Sequence, residues 1–485
     1  MTSTESTTTP SVAAPAGGRE HAIDALRGFA LLGILMVNAG SFASTYFGVG
    51  VSDPAFSRPV DHAVRWLVSF FFETKFYLLF SMLFGYSFAL QMDAARRTGS
   101  VFVPRFLRRL LGLALLGLAH AWLLFAGDIL VTYALLGVLL LAWRDVRPGA
   151  AVVLALVLLG ATAAGWGLLA WLVAQVPPMD LPLAELHAKA QQAAQAYRAS
   201  ALEAIAQRGR DMAEGVWFVL VFVQGPCALA MFLLGLAAHR TGYLATVAQH
   251  PARLRRWMVC CLPVGVAGAL FYASTQGGGS AHSPEHVGLA ALAVDLATAP
   301  FLTFGYVALL LWLLQRGPAG RRLGAALQPA GRMALTNYLL QSLVGALVFT
   351  AYGLALVGQV SPGWVVLGVL VLYATQLAWS HRWMATHAYG PVEWLLRAFT
   401  QWQWPAWRRA TQRARKSRSA NSVSSGASVI WLWPTGRLAI DTDLPAARAA
   451  FTRPCAALGG VIWSWLPSAN STGHVSCAMA ASPPV

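Results

Sequence analysis

A histidine and an aspartate eight residues apart, His120 and Asp128, flank a tight turn in LGLALLGLAHAWLLFAGDILVTYALLG. A histidine oriented by a carboxylate is a candidate general base, able to take a proton from an attacking hydroxyl or amine. The competing reading is a buried histidine bonded to a backbone carbonyl, with Asp128 capping the following helix. Asn38, in AIDALRGFALLGILMVNAG, and Lys75, in FFETKFYLLFSMLFG, are candidates to steady a developing oxyanion. Glu73 and Lys75 are two residues apart and do not face each other on a helix, so each needs a partner from another span. A second group suits phosphate. Arg27 shares a helix face with Asp24, three residues earlier, and either forms a local ion pair or receives the phosphates of a ligand. Arg332 and Asn337, in GRMALTNYLLQS, join it as candidate donor-binding residues. His282 and His286 have metal-site spacing only on a helix, and GGGS before them with Pro284 between them argues for a loop. No metal site is expected.

These residues lie inside long apolar runs, at about 23–47, 64–90, 106–126, 128–146, 150–176, 214–238, 257–275, 289–314, 332–353 and 363–385. Runs of this length are read as membrane spans, so the expected fold is all-α, a polytopic helical membrane protein of about ten transmembrane helices. Composition agrees. The 485 residues are 57% hydrophobic and only 11% charged, whereas a soluble domain carries about 25% charged residues. Extended disorder and a transmembrane barrel are both excluded for most of the chain, the first by hydrophobicity and the second by continuous apolar runs. An ionisable group inside a span costs roughly 2.5–3.5 kcal/mol on insertion scales, which makes each a functional candidate. By helical rise, Arg27, Arg332 and Asn337 fall near one face. Asn38, His120, Asp128 and Asp295 fall toward the other, with Glu73, Lys75, Gln224 and Gln341 between.

The net charge of +16, from 35 basic and 19 acidic residues, fits the positive-inside rule and not nucleic-acid binding. Arg96, Arg97, Arg105, Arg108, Arg109, Arg144, Arg147, Arg240, Arg253, Arg255, Arg256, Arg316, Arg321, Arg322 and Arg332 occupy alternate loops. That bias places both termini in the cytoplasm. Residues 1–22 read as a disordered cytoplasmic tail, 23–410 as the membrane domain, 177–213 as an external amphipathic segment and 411–485 as a cytoplasmic, disordered tail. The last begins with basic, Ser-rich RARKSRSANSVSSGAS and shows neither helical nor strand periodicity. The five cysteines have no metal or disulfide spacing.

IDALRGFALLGILMVN (23–38), KFYLLFSMLFG (75–85), the spacing of His120 to GDIL (127–130), GRMALTNYLLQS (331–342) and GPVEWLLR (390–397) together resemble the YeiB family of bacterial inner-membrane proteins. The C-terminal half of that family is a domain of unknown function. The N-terminal element also resembles a wider group of membrane acyltransferases, including heparan glucosaminide acetyltransferase and bacterial sugar O-acyltransferases. The sugar enzymes carry a histidine ten or so residues beyond the first-span arginine; here that position is Asn38, as in the glucosaminide enzyme. The loop histidine of the latter has no counterpart at the matching spacing in 41–63, where His62 stands alone, so His120 is the substitute candidate. The resemblance implies transfer of an acyl group from a cytoplasmic donor such as acyl-CoA to a glycan or small-molecule acceptor at the outer side of the inner membrane. No permanently bound cofactor is implied. The alternative is a transporter or exporter using the same buried polar residues.

Overall fold

The computed structural model describes residues 16–47, 52–177, 183–277, 284–409, 429–432 and 438–441. The expected metal-poor loop residue His282 and most of the two predicted tails lie outside these residues. The first helix, α1 (Ala16–Ala43), starts inside the predicted N-terminal tail. It is followed by α2 (Pro59–Phe71), α3 (Lys75–Arg97), α4 (Phe102–Leu123), α5 (Leu130–Ala142) and α6 (Pro148–Val173). A helical hairpin comes next, α7 (Leu183–Ala199) and α8 (Ala201–Asp211), leading through π-helical turns to α9 (Gly225–Arg240). The chain continues through α10 (Tyr243–Ala248), α11 (Pro251–Tyr272), α12 (Glu285–Leu314), α13 (Gly317–Arg332), α14 (Ala334–Phe349), α15 (Pro362–Thr386) and α16 (Pro391–Gln401).

Among the described residues, eight helical stretches are long and apolar enough to cross a membrane. The two other expected spans, α5 and α14, are apolar but short. At about 1.5 Å per residue neither covers the roughly 30 Å hydrocarbon core. α5 is shortened by the turn at Gly127–Asp128, and α14 by the break from α13 at Met333 and by extended Thr350. The second expected span is also interrupted. Phe72–Thr74 form a turn in which Thr74 takes a left-handed backbone (φ 68°), so Lys75 is the first residue of α3 instead of a mid-helix residue.

Burial sorts the helices into layers. Over half of the span window is buried in α1, α9 and α12, against 11% in α6 and 22% in α11 and α15. The outer helices present Val153, Leu156, Val157, Leu168 and Leu172 on α6 and Leu367, Leu370 and Val371 on α15. Lipid tails are as apolar as leucine, so such faces are stable in a bilayer, and the molecule is a multi-pass membrane protein. Between helices, close packing replaces the hydrophobic effect. α1 and α13 meet glycine on backbone: a Cβ on Gly331 would overlap the Asp24 carbonyl, and one on Gly28 the Leu327 carbonyl. Those two glycines lie in the first and fourth sequence motifs, and their contacts put Arg27 and Arg332 in the wall of one cavity. Gly331→Ala is expected to cost about 1–3 kcal/mol through overpacking, read as a lower unfolding midpoint in detergent.

Residues Arg409–Val485 form a separate unit. In it, Val429–Leu432 and Leu438–Asp441 pair as an antiparallel hairpin, β1 and β2. This departs from the expectation of no strand there. VIWL and LAID are rich in β-forming residues and are separated by WPTGR, whose Pro434 and Gly436 favour a turn.

Candidate functional site

The apolar run 106–126 makes most of α4, and the turn at 124–129 returns the chain as α5. That reversal brings His120 and Asp128 together. His120 Nδ1 lies 2.8 Å from Asp128 Oδ1, both side chains essentially buried. The other carboxylate oxygen accepts the Val131 N–H at 2.9 Å. Asp128 therefore does both things weighed for it: it caps α5 and it orients the histidine. The bond fixes the proton on Nδ1 and leaves the Nε2 lone pair available. Nε2 has no hydrogen-bond partner among the described residues. Gly117, on the preceding turn, makes room: a Cβ there would lie 2.7 Å from Asp128 Oδ2. The His120 ring also lies 5.0 Å from the ring of Tyr338 on α14.

Tyr338 belongs to the wall of a cavity of about 680 Å³ lined by residues of α1, α3, α4, α5, α13, α14 and α16. Five arginines line it: Arg27, Arg105, Arg109, Arg332 and Arg397. Much of the rest of its lining is apolar and aromatic, including Phe80, Leu83, Phe84, Leu113, Tyr133 and Tyr338. Arg27 is held by Asp24 at 2.7 Å and by Ser87 Oγ at 2.5 Å. The local ion pair and a place in the cavity wall are thus both real. Arg332 donates to the Ala388 carbonyl at 3.4 Å, and Arg397 lies over the Tyr389 ring.

The one carboxylate of the lining, Glu393, is committed elsewhere. It accepts the backbone N–H groups of Leu335 (2.7 Å) and Thr336 (3.0 Å) and the Thr336 hydroxyl (2.5 Å). These are orphan donors in the first turn of α14, where a carboxylate also meets the positive helix end. Burial raises the Glu393 carboxyl above the usual glutamate range, and the Thr336 and Leu335 donors oppose that rise. GPVEWLLR and GRMALTNYLLQS are therefore one structural unit, joined by a cap. Glu393→Ala is expected to cost about 1.5–3 kcal/mol, the range for hydrogen bonds to a charged group, seen as a lower midpoint.

Three expected site residues stand apart. Lys75 is fully buried and pairs with Asp295 of α12 at 3.4 Å, donating also to the Ser69 carbonyl at 3.2 Å. The break at Thr74 moves it away from mid-helix, and it lines no part of the cavity. Glu73 bonds to Ser69 instead, at 2.9 Å. Asn337 is buried, not exposed to the cavity. Its Nδ2 donates to Ala330 O and Ser380 Oγ, and its backbone carbonyl accepts from Gln376 Nε2, tying α13, α14 and α15 together. One position on, Tyr338 takes the cavity side because successive helical residues are about 100° apart. Asn38 is half-buried and outside the cavity lining. The reading missed Arg105, Arg109, Arg397, Tyr133 and Tyr338. In the sequence Arg105 and Arg109 stand only as topology markers, while Arg397 lies in GPVEWLLR and Tyr338 in GRMALTNYLLQS.

The chain is 33% identical over 405 residues to "Uncharacterized protein YxaH" of Bacillus subtilis (strain 168), covering 79% of this chain and 94% of that protein. The chain belongs to the YeiB-like family. Its residues 238–403 match "Protein of unknown function (DUF418)". "Uncharacterized protein YeiB" of Escherichia coli (strain K12) is 29% identical over 400 residues, covering 79% of this chain and 96% of that one. No solved structure matches. The DUF418 match starts in α9 and includes both halves of the Glu393 cap, Arg332, Arg397 and Tyr338. His120 and Asp128 precede it, so the YeiB-like cavity is built from both sides of that boundary.

Proposed function

We propose that this YeiB-like protein transfers an acyl group from a phosphate-bearing thioester to a hydroxyl or amine. The supporting observation is the cavity of about 680 Å³, with five arginines and Tyr338 in its wall and His120 against that tyrosine. The arginines suit phosphates, and the apolar lining suits an acyl-bearing arm. His120 Nε2 takes the acceptor proton as the acceptor bonds to the thioester carbonyl carbon. The carbon–sulfur bond then breaks, and the proton ends on the departing thiol. The positive-inside rule puts the cavity's arginines on the cytoplasmic side.

The test uses purified full-length protein in detergent with acetyl-CoA and a panel of hydroxyl and amine acceptors, following free thiol. Acceptor-dependent release is expected, and Arg27→Gln should raise the donor KM with the fold intact. No release above the protein-free control across the panel would remove acyl transfer. A second reading, passage of a small molecule, draws on one observation: His120 is not itself part of the cavity lining. It predicts ligand flux across proteoliposomes without thiol release.

A further inference from the structure

Arg208 falls in the segment 177–213, which the sequence reads as external and amphipathic. In the structure it is 1% exposed, the largest fully buried side chain among the described residues. Nη1 donates to the Tyr352 hydroxyl at 3.0 Å. The guanidinium lies 4.9 Å from the centre of the Tyr352 ring and 5.6 Å from that of Tyr197. Nη2 is buried with no hydrogen-bond partner. Among the described residues, no carboxylate lies within ion-pair distance of Arg208. Asp211, one turn on, is taken up by the Tyr197 hydroxyl at 2.5 Å and by Gln207 Nε2 at 2.7 Å. Glu203 reaches Arg210 at 4.0 Å.

A guanidinium cannot shed its proton when buried. A buried lysine or carboxylic acid can neutralise itself; Arg208 must be met by acceptors. Two ring faces and one hydroxyl compensate part of its charge, and Nη2 still lacks an oxygen. A planar carboxylate offers what is missing, since it matches the guanidinium fork and supplies the counter-charge.

Position gives this a role. The hairpin α7–α8 is fastened across one end of the bundle. Thr45, just past α1, donates to Ala190 O at 2.8 Å, and Ala351 N, just past α14, donates to Tyr197 O at 2.8 Å. Gly209, next to Arg208, packs against Trp122 at the end of α4. α4 and α14 are the helices that carry His120 and Tyr338. Toward the other end of α4, Arg105 and Arg109 line the arginine-rich cavity. Arg208 therefore lies beyond His120, on the side away from those arginines.

We infer that Arg208 anchors a second ligand site, taking a carboxylate on the molecule that approaches His120 from the α7–α8 side. Naming that molecule the acceptor rests on the acyl-transfer reading; the site itself does not. The probe is sodium glucuronate, with glucose as its neutral counterpart and sodium chloride matching ionic strength. Unfolding midpoints are measured on full-length protein in detergent. Glucuronate should raise the midpoint saturably and glucose should not. Arg208→Gln should weaken the apparent affinity at least tenfold, whereas Arg27→Gln, in the arginine-lined cavity, should leave it unchanged. If Arg208→Gln fails to fold, Arg208→Lys carries the test: it keeps the charge, loses the fork, and should bind glucuronate more weakly than the native protein. No glucuronate-specific rise in the native protein overturns the site, as does a rise undiminished in the Arg208 variant. A rise lost with Arg208 supports it whether or not thiol is released, so the two proposals fail separately.

Discussion

His120→Ala is expected to lower acceptor-dependent thiol release by about 10²–10⁴-fold, the usual cost of removing a general base. The midpoint of unfolding should change much less, because the imidazole makes one side-chain hydrogen bond, to Asp128. Asp128 allows a sharper dissection. Asn caps a helix about as well as Asp, so Asp128→Asn should keep the Val131 N–H satisfied and the fold stable. It should nonetheless lose activity, since the amide no longer holds the proton on Nδ1 or balances a protonated imidazole. Asp128→Ala should lose both. A His120→Ala protein with native turnover removes the histidine from the chemistry and favours passage of a small molecule.

The second large effect is structural. Lys75 and Asp295 have fully buried side chains, and neither Asp295 oxygen takes a well-formed hydrogen bond. Removing one partner of such a pair leaves a buried charge, at about 3–5 kcal/mol, a large share of the 5–15 kcal/mol that holds a typical domain together. Lys75→Ala and Asp295→Ala should each sharply reduce the yield of folded protein. The double replacement Lys75→Met with Asp295→Leu should recover most of it, because an apolar pair of similar volume is often neutral or stabilising. The measurement is monodisperse yield and unfolding midpoint in detergent. Full stability of either single variant, or no recovery in the double, would show that charge pairing is not what Lys75 contributes.

The ion pair also marks a limit of linear reading. Glu73 and Lys75 do take different partners, but helical spacing is not the reason: Glu73 lies in the turn at 72–74 and bonds to Ser69 of the same expected span, and only Lys75 finds its partner on another span. Which span could not follow from spacing, because Asp295 is more than two hundred residues away and the turn at Thr74 resets the depth of Lys75. Depth along an unbroken helix was the wrong ruler at a broken one. Asn337 failed for a related reason. Its neighbour Tyr338 faces the cavity, and a single helical step turns a side chain from ligand-facing to core.

Fold class was set by the sequence, because a bilayer admits few solutions: backbone groups must bond within the segment, so long apolar runs become helices. His120 with Asp128 was legible too, since a tight turn between two helices leaves nearby residues little choice of neighbour. The rest was decided by packing. Gly28 of α1 packed on α13 puts Arg27 and Arg332 in one cavity wall, the Glu393 cap draws Arg397 and α16 to α14, and the α7–α8 hairpin buries Arg208 beneath two tyrosines. Each joins segments far apart in the chain, and such contacts depend on which helix faces meet, a property that no single segment's periodicity contains.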